Sequence, residues 1–445
     1  MTAEHAHGEP RYSVTAEDMR YSWTVLSPQD KVEGFRLLER DEAEDFFLSM
    51  SAQEQAELIL DLQPRERKLW FRQLAPDDAA DVLQEAPKET HEELLSLLDD
   101  RARREVIALL AYVEDEAGGL MSPRFARLRP DATADQAIEY LRQQAKRQLE
   151  TIYYLYVLDS EQRLLGVTSF RELFAAPGDG LVRDLMHTDF IAVPEEMHQE
   201  EVARLMSLHD LLAIPVVDHE GRIKGIVTFD DIVDVVEEEA TEDMQKLGGM
   251  EALDTPYLQT GMFEMVRKRA VWLCVLMVGE MLTATAMGHY EAEITKAVVL
   301  TLFVPLIISS GGNAGSQAAT LVIRAMALGE VKLKDWWRVT SRELFSGLAL
   351  GVILAVIGLL RIILSEAVFH GYGPHAGYVA LTVAVSLLGV VTWGTVSGST
   401  LPFLLRRLGF DPASASAPFV ATLVDVVGLL IYFSTATVLL RGTLL

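Results

Sequence analysis

The chain has 445 residues, half of them hydrophobic, with 39 Lys and Arg against 65 Asp and Glu, a formal charge of −26. Residues 1–270 hold 29 basic and 56 acidic side chains, residues 271–445 only 10 and 9, and residues 367–405 hold none. This pattern excludes one globular domain, a wholly soluble protein and a nucleic-acid binder, whose footprint would be basic. The single cysteine, Cys274, excludes a disulfide framework or a Cys-based zinc site within one chain. The first thirty residues contain acids and no apolar core segment, so no cleaved signal peptide is expected and the N-terminal part is read as cytosolic.

A repeat opens the chain. Leu26, Leu38, Met50, Leu62, Leu74, Ala86 and Leu98 lie twelve apart, and an apolar residue or pair follows each by eight or nine positions, from Phe35 to Val106 with Ile107. Turn chemistry recurs between them as SPQD, SAQE, QPRE, APDD, APKE and LDDR. A unit of this length predicts a short helix with one apolar edge, which buries that edge only by stacking in series. Most acids of this domain read as a solvated face, but Asp77 and Asp81 are four apart and share one helix side.

A second repeat follows without a gap at an offset of 59: Asp159 meets Asp218, Arg163 meets Arg222, Gly166 meets Gly225 and Phe170 meets Phe229. Each copy predicts helix, strand, turn, strand, helix. These residues resemble a tandem CBS pair over about residues 118–240, a module that typically binds adenine nucleotides or senses metal ions. In such pairs a Thr or Ser followed three residues later by Asp often contacts a ribose. The second copy has Thr228 and Asp231, while the first departs with Ser169 and Glu172.

Next comes an acidic helical run in which Asp230, Asp231, Asp234, Glu237, Glu238, Glu239, Glu242 and Asp243 fall within fourteen residues. A solvated acidic helix is the ordinary reading. Beside a membrane segment, partly hydrated divalent cations shared by one or two carboxylates are the alternative. No EF-hand loop, HExxH, P-loop or nucleophile elbow is present, so the chain is not read as an enzyme.

Hydropathy predicts five spans, at about residues 270–288, 297–328, 344–369, 378–405 and 417–440. Arg267 to Arg269, then Lys332, Lys334, Arg338 and Arg342, then Arg406 and Arg407 sort to one side, which puts the N-terminus inside and the C-terminus outside. A carboxylate at mid-bilayer costs about 2.5 to 3.5 kcal/mol, so Asp425 and Glu280 stand out. Asp425 either pairs with Arg361 or faces a cation pathway. Glu280 either lines a pathway, caps a polar cluster with Thr283 and Thr285, or sits protonated between helices. Pro305 and the run from Ser309 to Gln317 are expected to break the second span's helix, as close helix packing or as a pore wall.

The order of these parts, with GGNAGSQAATLVIRA in the second span and PFVATLVDVVGLLIY in the fifth, resembles the MgtE-type magnesium channels. The resemblance implies a multidomain fold: a tail (1–21), an α-helical superhelical repeat domain (22–117), an α/β tandem CBS pair (118–184 and 185–246), a connecting plug helix (247–269) and an all-α membrane domain of five helices (270–445). It implies a homodimer in the bacterial inner membrane that imports Mg²⁺, with Mn²⁺, Co²⁺ and Ni²⁺ as further candidate ions, and that closes when cytosolic Mg²⁺ binds its acids. The pore acid falls on Asp425, with Ala417, Ala421, Gly312, Asn313 and Glu280 lining the path. Sensor acids fall on Asp77, Asp81, Glu200, Asp210, Asp231, Asp234, Glu239, Glu242, Asp243 and Asp411, and His198 stands where relatives can carry an acid. ATP as a regulatory ligand would use Thr228 and Asp231. Two readings from other classes remain: a proton-coupled divalent-cation transporter using Asp425 and Glu280, and a nucleotide-responsive regulator that does not transport.

Overall fold

The computed structural model describes residues 14–144, 149–253, 255, 257–258, 260–369, 375–441 and 443–444. They form two compact units, one ending at Glu238 and the other beginning at Glu239.

The first unit opens with eight short helices: α1 (Ala16–Ser22), α2 (Pro28–Leu37), α3 (Arg40–Leu48), α4 (Ala52–Asp61), α5 (Pro64–Phe71), α6 (Pro76–Glu85), α7 (His91–Leu97) and α8 (Asp100–Leu109). Their starts are set locally. Ser27, Ser51 and Asp99 cap with their side chains, and Pro28, Pro64 and Pro76 sit in the first turn, where no backbone N–H is needed. Contacts run α2 to α4 to α6 to α8, with α1 on α3 and α5 on α7, so alternate helices stack in two layers. The twelve-residue leucines occupy the turns between helices. Leu38, Met50, Leu62, Leu74, Ala86 and Leu98 follow successive helices and are all buried. A two-turn helix plus an extended joint uses twelve residues.

The CBS pair comprises α9 (Ala117–Leu120), β1 (Arg127–Leu128), α10 (Ala134–Gln144), β2 (Tyr154–Leu158), β3 (Leu164–Ser169), α11 (Phe170–Ala175), α12 (Val182–Leu185), β4 (Val193–Pro194), α13 (Gln199–Leu208), β5 (Ala213–Val217) and β6 (Ile223–Thr228). The sheets are β1-β2-β3 and β4-β5-β6, each with a parallel and then an antiparallel pairing. The offset of 59 holds at the level of register: Val157 opposes Gly166, Val216 opposes Gly225, and both ladders slip one position later. The hairpin turns match as well. Asp159 accepts from the N–H groups of Glu161 and Arg163, and Asp218 from those of Glu220 and Arg222. Each turn needs a left-handed residue, supplied by Gln162 (φ 65°) in one copy and Gly221 (φ 77°) in the other. The turns join tip to tip, Leu164 N–H donating to Gly221 O and Ile223 N–H to Gln162 O. Phe125, Tyr156 and Leu158 pack there against Ala213, Ile223 and Ile226.

Helix α14 (Phe229–Leu247) carries the chain from one unit to the next. Residues 247–269 are not a separate helix, which corrects the expected plug. The chain turns at Gly249, whose φ of 76° excludes continued helix, no helix is present at 248–261 among the described residues, and Met262 starts the first span.

That span is α15 (Met262–His289), followed by α16 (Glu291–Lys296), a 3₁₀ segment (Val298–Phe303), α17 (Val304–Ala327), α18 (Trp336–Phe369), α19 (Ala376–Arg407) and α20 (Ala417–Leu439). Five of these helices are long and apolar enough to cross a membrane. The expected break at Ser309–Gln317 does not occur, because Pro305 lies in the first turn of α17 and costs it no hydrogen bond. The irregular stretch is the preceding 3₁₀ segment, where Leu300 O accepts from the buried Tyr432 hydroxyl at 2.8 Å. The small residues pack instead. A Cβ on Gly394 would lie 2.4 Å from Gly311 O, and one on Gly398 would lie 2.1 Å from Gly315 O, so α17 and α19 touch backbone to backbone.

Candidate cation sites

In the first unit, carboxylates from three elements converge. Asp77 and Asp78 begin α6, where the helix dipole favours anions, and Asp81 follows one turn later. Asp77 is only 6% exposed. The Ser122 hydroxyl donates to Asp77 Oδ1 at 3.4 Å and to Glu150 Oε2 at 3.0 Å, which brings the first CBS unit to the group. The start of α14 adds Asp230, Asp231 and Asp234, all of which act electrostatically on these acids.

Burial is the main cause that raises Asp77, Asp78, Asp81, Glu150, Asp231 and Asp234. Asp77 and Asp81 are held well above the ordinary carboxylate range, Asp77 also by Glu150, Asp78 and Asp231, and Asp81 by Asp78, Asp231 and Glu114. Asp231 is pushed up to about 7 even though Thr228 donates to its carboxylate through N–H (3.2 Å) and hydroxyl (2.7 Å). Asp78, Glu150 and Asp234 are raised too, and Arg124, which favours the Glu150 anion, is itself bound to Glu105. Among the described residues no three His, Cys, Asp or Glu side chains are arranged to hold a metal ion directly. A Mg²⁺ ion at such a group would keep several waters.

Of the expected sensor acids, the fold thus brings together Asp77, Asp81, Asp231 and Asp234. It adds Asp78, Asp230, Glu150 and Ser122, the last two without a signal in the sequence. Glu200 and Asp210 are exposed at the two ends of α13, and Asp210 there takes a left-handed φ of 51°. His198 caps that helix, its Nδ1 accepting from Glu200 N–H at 3.3 Å. In the first CBS unit Glu172, the counterpart of Asp231, is held by Ser169 and by His187 Nε2 at 2.7 Å.

In the second unit, Lys246 near the end of α14 bridges Glu242 (2.5 Å) and Asp411 (2.7 Å), and the two carboxylates raise its pKa against the effect of burial. Asp411 also caps the short helix before α20 by accepting from Ala413 N–H. Glu239 and Asp243 are half-buried on the same stretch of α14.

Asp425 lies two turns into α20, half-buried, with Gly312 of α17 beside it: a Cβ there would lie 3.3 Å from Ala421 Cβ and 3.8 Å from Asp425 Oδ1. Asp425 has no ion pair among the described residues, with Arg361 or any other base, so the ion-paired reading falls. Asn313 is exposed on the next position of α17, and the Ala417 carbonyl accepts from Ser316 at 3.0 Å.

Comparison with known proteins decides what these sites belong to. The family described as "Divalent cation transporter" matches residues 304–435, the "MgtE intracellular N domain" residues 15–115, and the "CBS domain" residues 115–179 and 182–238. The magnesium transporter MgtE of Thermus thermophilus is 40% identical over 429 residues, 96% of this chain and 93% of its own. That of Enterococcus faecalis is 35% identical over 76% of this chain and 72% of its own. The chain belongs to the MgtE family of magnesium transporters. A solved cytosolic domain of the Mg²⁺ channel MgtE, in complex with ATP, is 40% identical, covers 50% of this chain and 90% of its own, and superposes with a TM-score of 0.47. An inosine-5′-monophosphate dehydrogenase of Methanocaldococcus jannaschii matches only 23% of the chain, within the CBS region, so it carries no enzyme activity over. As an MgtE member with five membrane-length helices, the protein is a multi-pass membrane protein whose N-terminal domains are cytosolic.

Proposed function

We propose that the protein is a homodimeric channel that imports Mg²⁺ across the bacterial inner membrane and is closed by cytosolic Mg²⁺, with its C-terminus outside. The observation that carries this reading is Asp425, a carboxylate in the middle of a membrane helix with no basic partner among the described residues. Such a group is retained where it meets a cation. Two of them across a two-fold axis would hold a hydrated Mg²⁺ in outer-sphere contact, which favours the divalent ion that sheds water most reluctantly.

Closure would come from the crowded acids of the first unit. Buried carboxylates that repel one another favour any state in which a divalent cation offsets them, so Mg²⁺ shifts the population towards a compact arrangement. Asp77, Asp81, Asp231 and Asp234 carry this part, with Glu239, Glu242, Asp243 and Asp411 as further sensors around α14. ATP is proposed as a regulatory ligand of the second CBS unit. Its ribose would share the Thr228 hydroxyl with Asp231, and Thr228→Ala should then abolish ATP binding measured by calorimetry.

Proteoliposomes loaded with a Mg²⁺ indicator test the reading. We expect Mg²⁺ entry into liposomes bearing the protein, suppression of that entry by high Mg²⁺ on the cytosolic side, and its loss in Asp425→Ala. Undiminished entry through Asp425→Ala would overturn the pore assignment, and entry that requires a proton gradient would favour a coupled transporter.

A further inference from the structure

The cytosolic edge of the membrane unit carries a basic and aromatic patch that ion transport does not use. The N-terminal domains are cytosolic, so α17 and α19 end, and α18 begins, on that side of the membrane. Packing draws these three ends together. Val322 and Met326 of α17 and Phe403 of α19 form a buried cluster joined by Val331 and Val339, and the short turn Leu333–Asp335 rests against α19. Lys332 and Arg338 adjoin Val331 and Val339 in the chain, and Arg406 lies one turn beyond Phe403, so the bases of all three ends share one surface. Lys332, Lys334, Arg338, Arg342, Arg406 and Arg407 are all exposed, and none forms an ion pair among the described residues. Residues 331–343 and 404–410 hold only two acids, Asp335 and Glu343, and Asp335 accepts from the Lys332 N–H at 3.0 Å. Among these bases stand Trp336 and Trp337, 51% and 64% exposed, with their rings 5.5 Å apart and edge to face. Leu408 and Phe410 are exposed beside Arg407.

Depth along α18 says what meets this patch. Residues 344–360 carry no charge, a length of about 26 Å at 1.5 Å per residue, close to the hydrocarbon thickness of about 30 Å. Arg342 therefore marks the cytosolic edge of the hydrocarbon. Arg338 and Trp337, four and five residues earlier, stand about 6 to 8 Å beyond it, in the headgroup layer. An acidic protein surface would answer the bases but leave the tryptophan rings and Phe410 against polar atoms. A phospholipid answers both, with its phosphate on the bases and its glycerol and upper chains on the rings. We propose that this patch binds an anionic phospholipid of the cytosolic leaflet, with Lys334, Arg338 and Arg406 on its headgroup and Trp337 against its glycerol region. A headgroup of net negative charge is preferred to a zwitterionic one because these bases have no counter-charge of their own.

Native mass spectrometry of the full-length protein in nonionic detergent, titrated with phosphatidylglycerol or with phosphatidylcholine of the same chains, measures the preference. Phosphatidylglycerol should be retained about tenfold better than phosphatidylcholine. Lys334→Gln combined with Arg338→Gln and Arg406→Gln should bring the two lipids to within about twofold of each other. Arg267→Gln with Arg269→Gln removes two exposed bases at the cytosolic end of α15, outside the patch, and should keep the preference. Trp337→Ala should weaken retention of both lipids alike. An unchanged preference in the triple variant would overturn the proposal. A comparable loss in the Arg267 and Arg269 variant would show a response to total charge and would overturn it as well. Displacement of phosphatidylglycerol by an equal concentration of glycerol 3-phosphate would show an anion site without a lipid and also overturn it. If the triple variant is not monodisperse, Arg338→Gln alone is read, with a fall in preference of about threefold expected.

Discussion

The two units solve close approach in opposite ways. In the membrane unit, α17 and α19 are held by removing side chains, with Gly311 and Gly315 against Gly394 and Gly398. This packing is neutral, and nothing in it responds to the ionic composition of the medium. In the cytosolic unit, α6, the start of α14 and Glu150 are brought together with their carboxylates left in place, so the folded state there carries an unresolved repulsion. The contrast separates a scaffold that must hold its shape from a region whose stability is left for a ligand to complete.

Filling the glycine contact gives the largest effect. Gly398→Leu would drive a side chain into the Gly315 backbone, where no flexible neighbour can yield, and should destabilise the membrane unit by about 3 kcal/mol or more. A sharp fall in monodisperse protein after detergent extraction is the expected readout, and normal yield would break the backbone-contact picture.

Removing charge from the cytosolic group should have the opposite sign. Asp77→Asn combined with Asp231→Asn is expected to stabilise the Mg²⁺-free protein at pH 7.5 by about 1 to 3 kcal/mol, because it relieves buried like charges while keeping the acceptors of Ser122 and Thr228. The pH dependence follows from the raised values. An acid whose folded pKa lies above its unfolded value contributes its full stability below the unfolded value near 4 and loses it as pH rises through the folded value, about 7 for Asp231. The advantage of the double variant should therefore grow from pH 5 to pH 8 and shrink when Mg²⁺ is added. Thermal melts of the two proteins in EDTA and in Mg²⁺ measure this, and a constant offset at every pH would refute the electrostatic account.

The smallest effect should come from Lys246→Met, which breaks the bridge to Glu242 and Asp411. These groups are partly exposed, so the loss should be about 1 kcal/mol. The more telling readout is the Mg²⁺ dependence of channel closure. With the ammonium gone, Glu242 and Asp411 are released to Mg²⁺, and closure should need less of it.

Local chemistry wrote much of the fold into the chain. Prolines and serines at helix starts, the twelve-residue spacing and the offset of 59 each reflect neighbours in sequence, and the apolar length of five segments reflects the bilayer's thickness. The structure puts the repeat leucines in the joints between helices. The family resemblance implied a helix at 247–269, where a left-handed Gly249 turns the chain. The Pro-Gly stretch of the second span read as a break because propensity alone does not register that Pro305 falls in a first turn or that α19 offers glycines to match.

For the sites, the sequence by itself determined which acids exist, that Asp425 and Glu280 lie at membrane depth, and that Asp77 and Asp81 share a helix side. Only the tertiary structure decided which of them meet. Glu150 joins Asp77 through Ser122, Lys246 rather than an open pair of acids lies between Glu242 and Asp411, and Gly279 seats α15 against Thr422 of α20. The physical reason is range. Caps, turns and periodicities act over a few residues and are legible in order, whereas burial and repulsion depend on groups tens to more than a hundred positions apart, which only packing brings within a few ångströms.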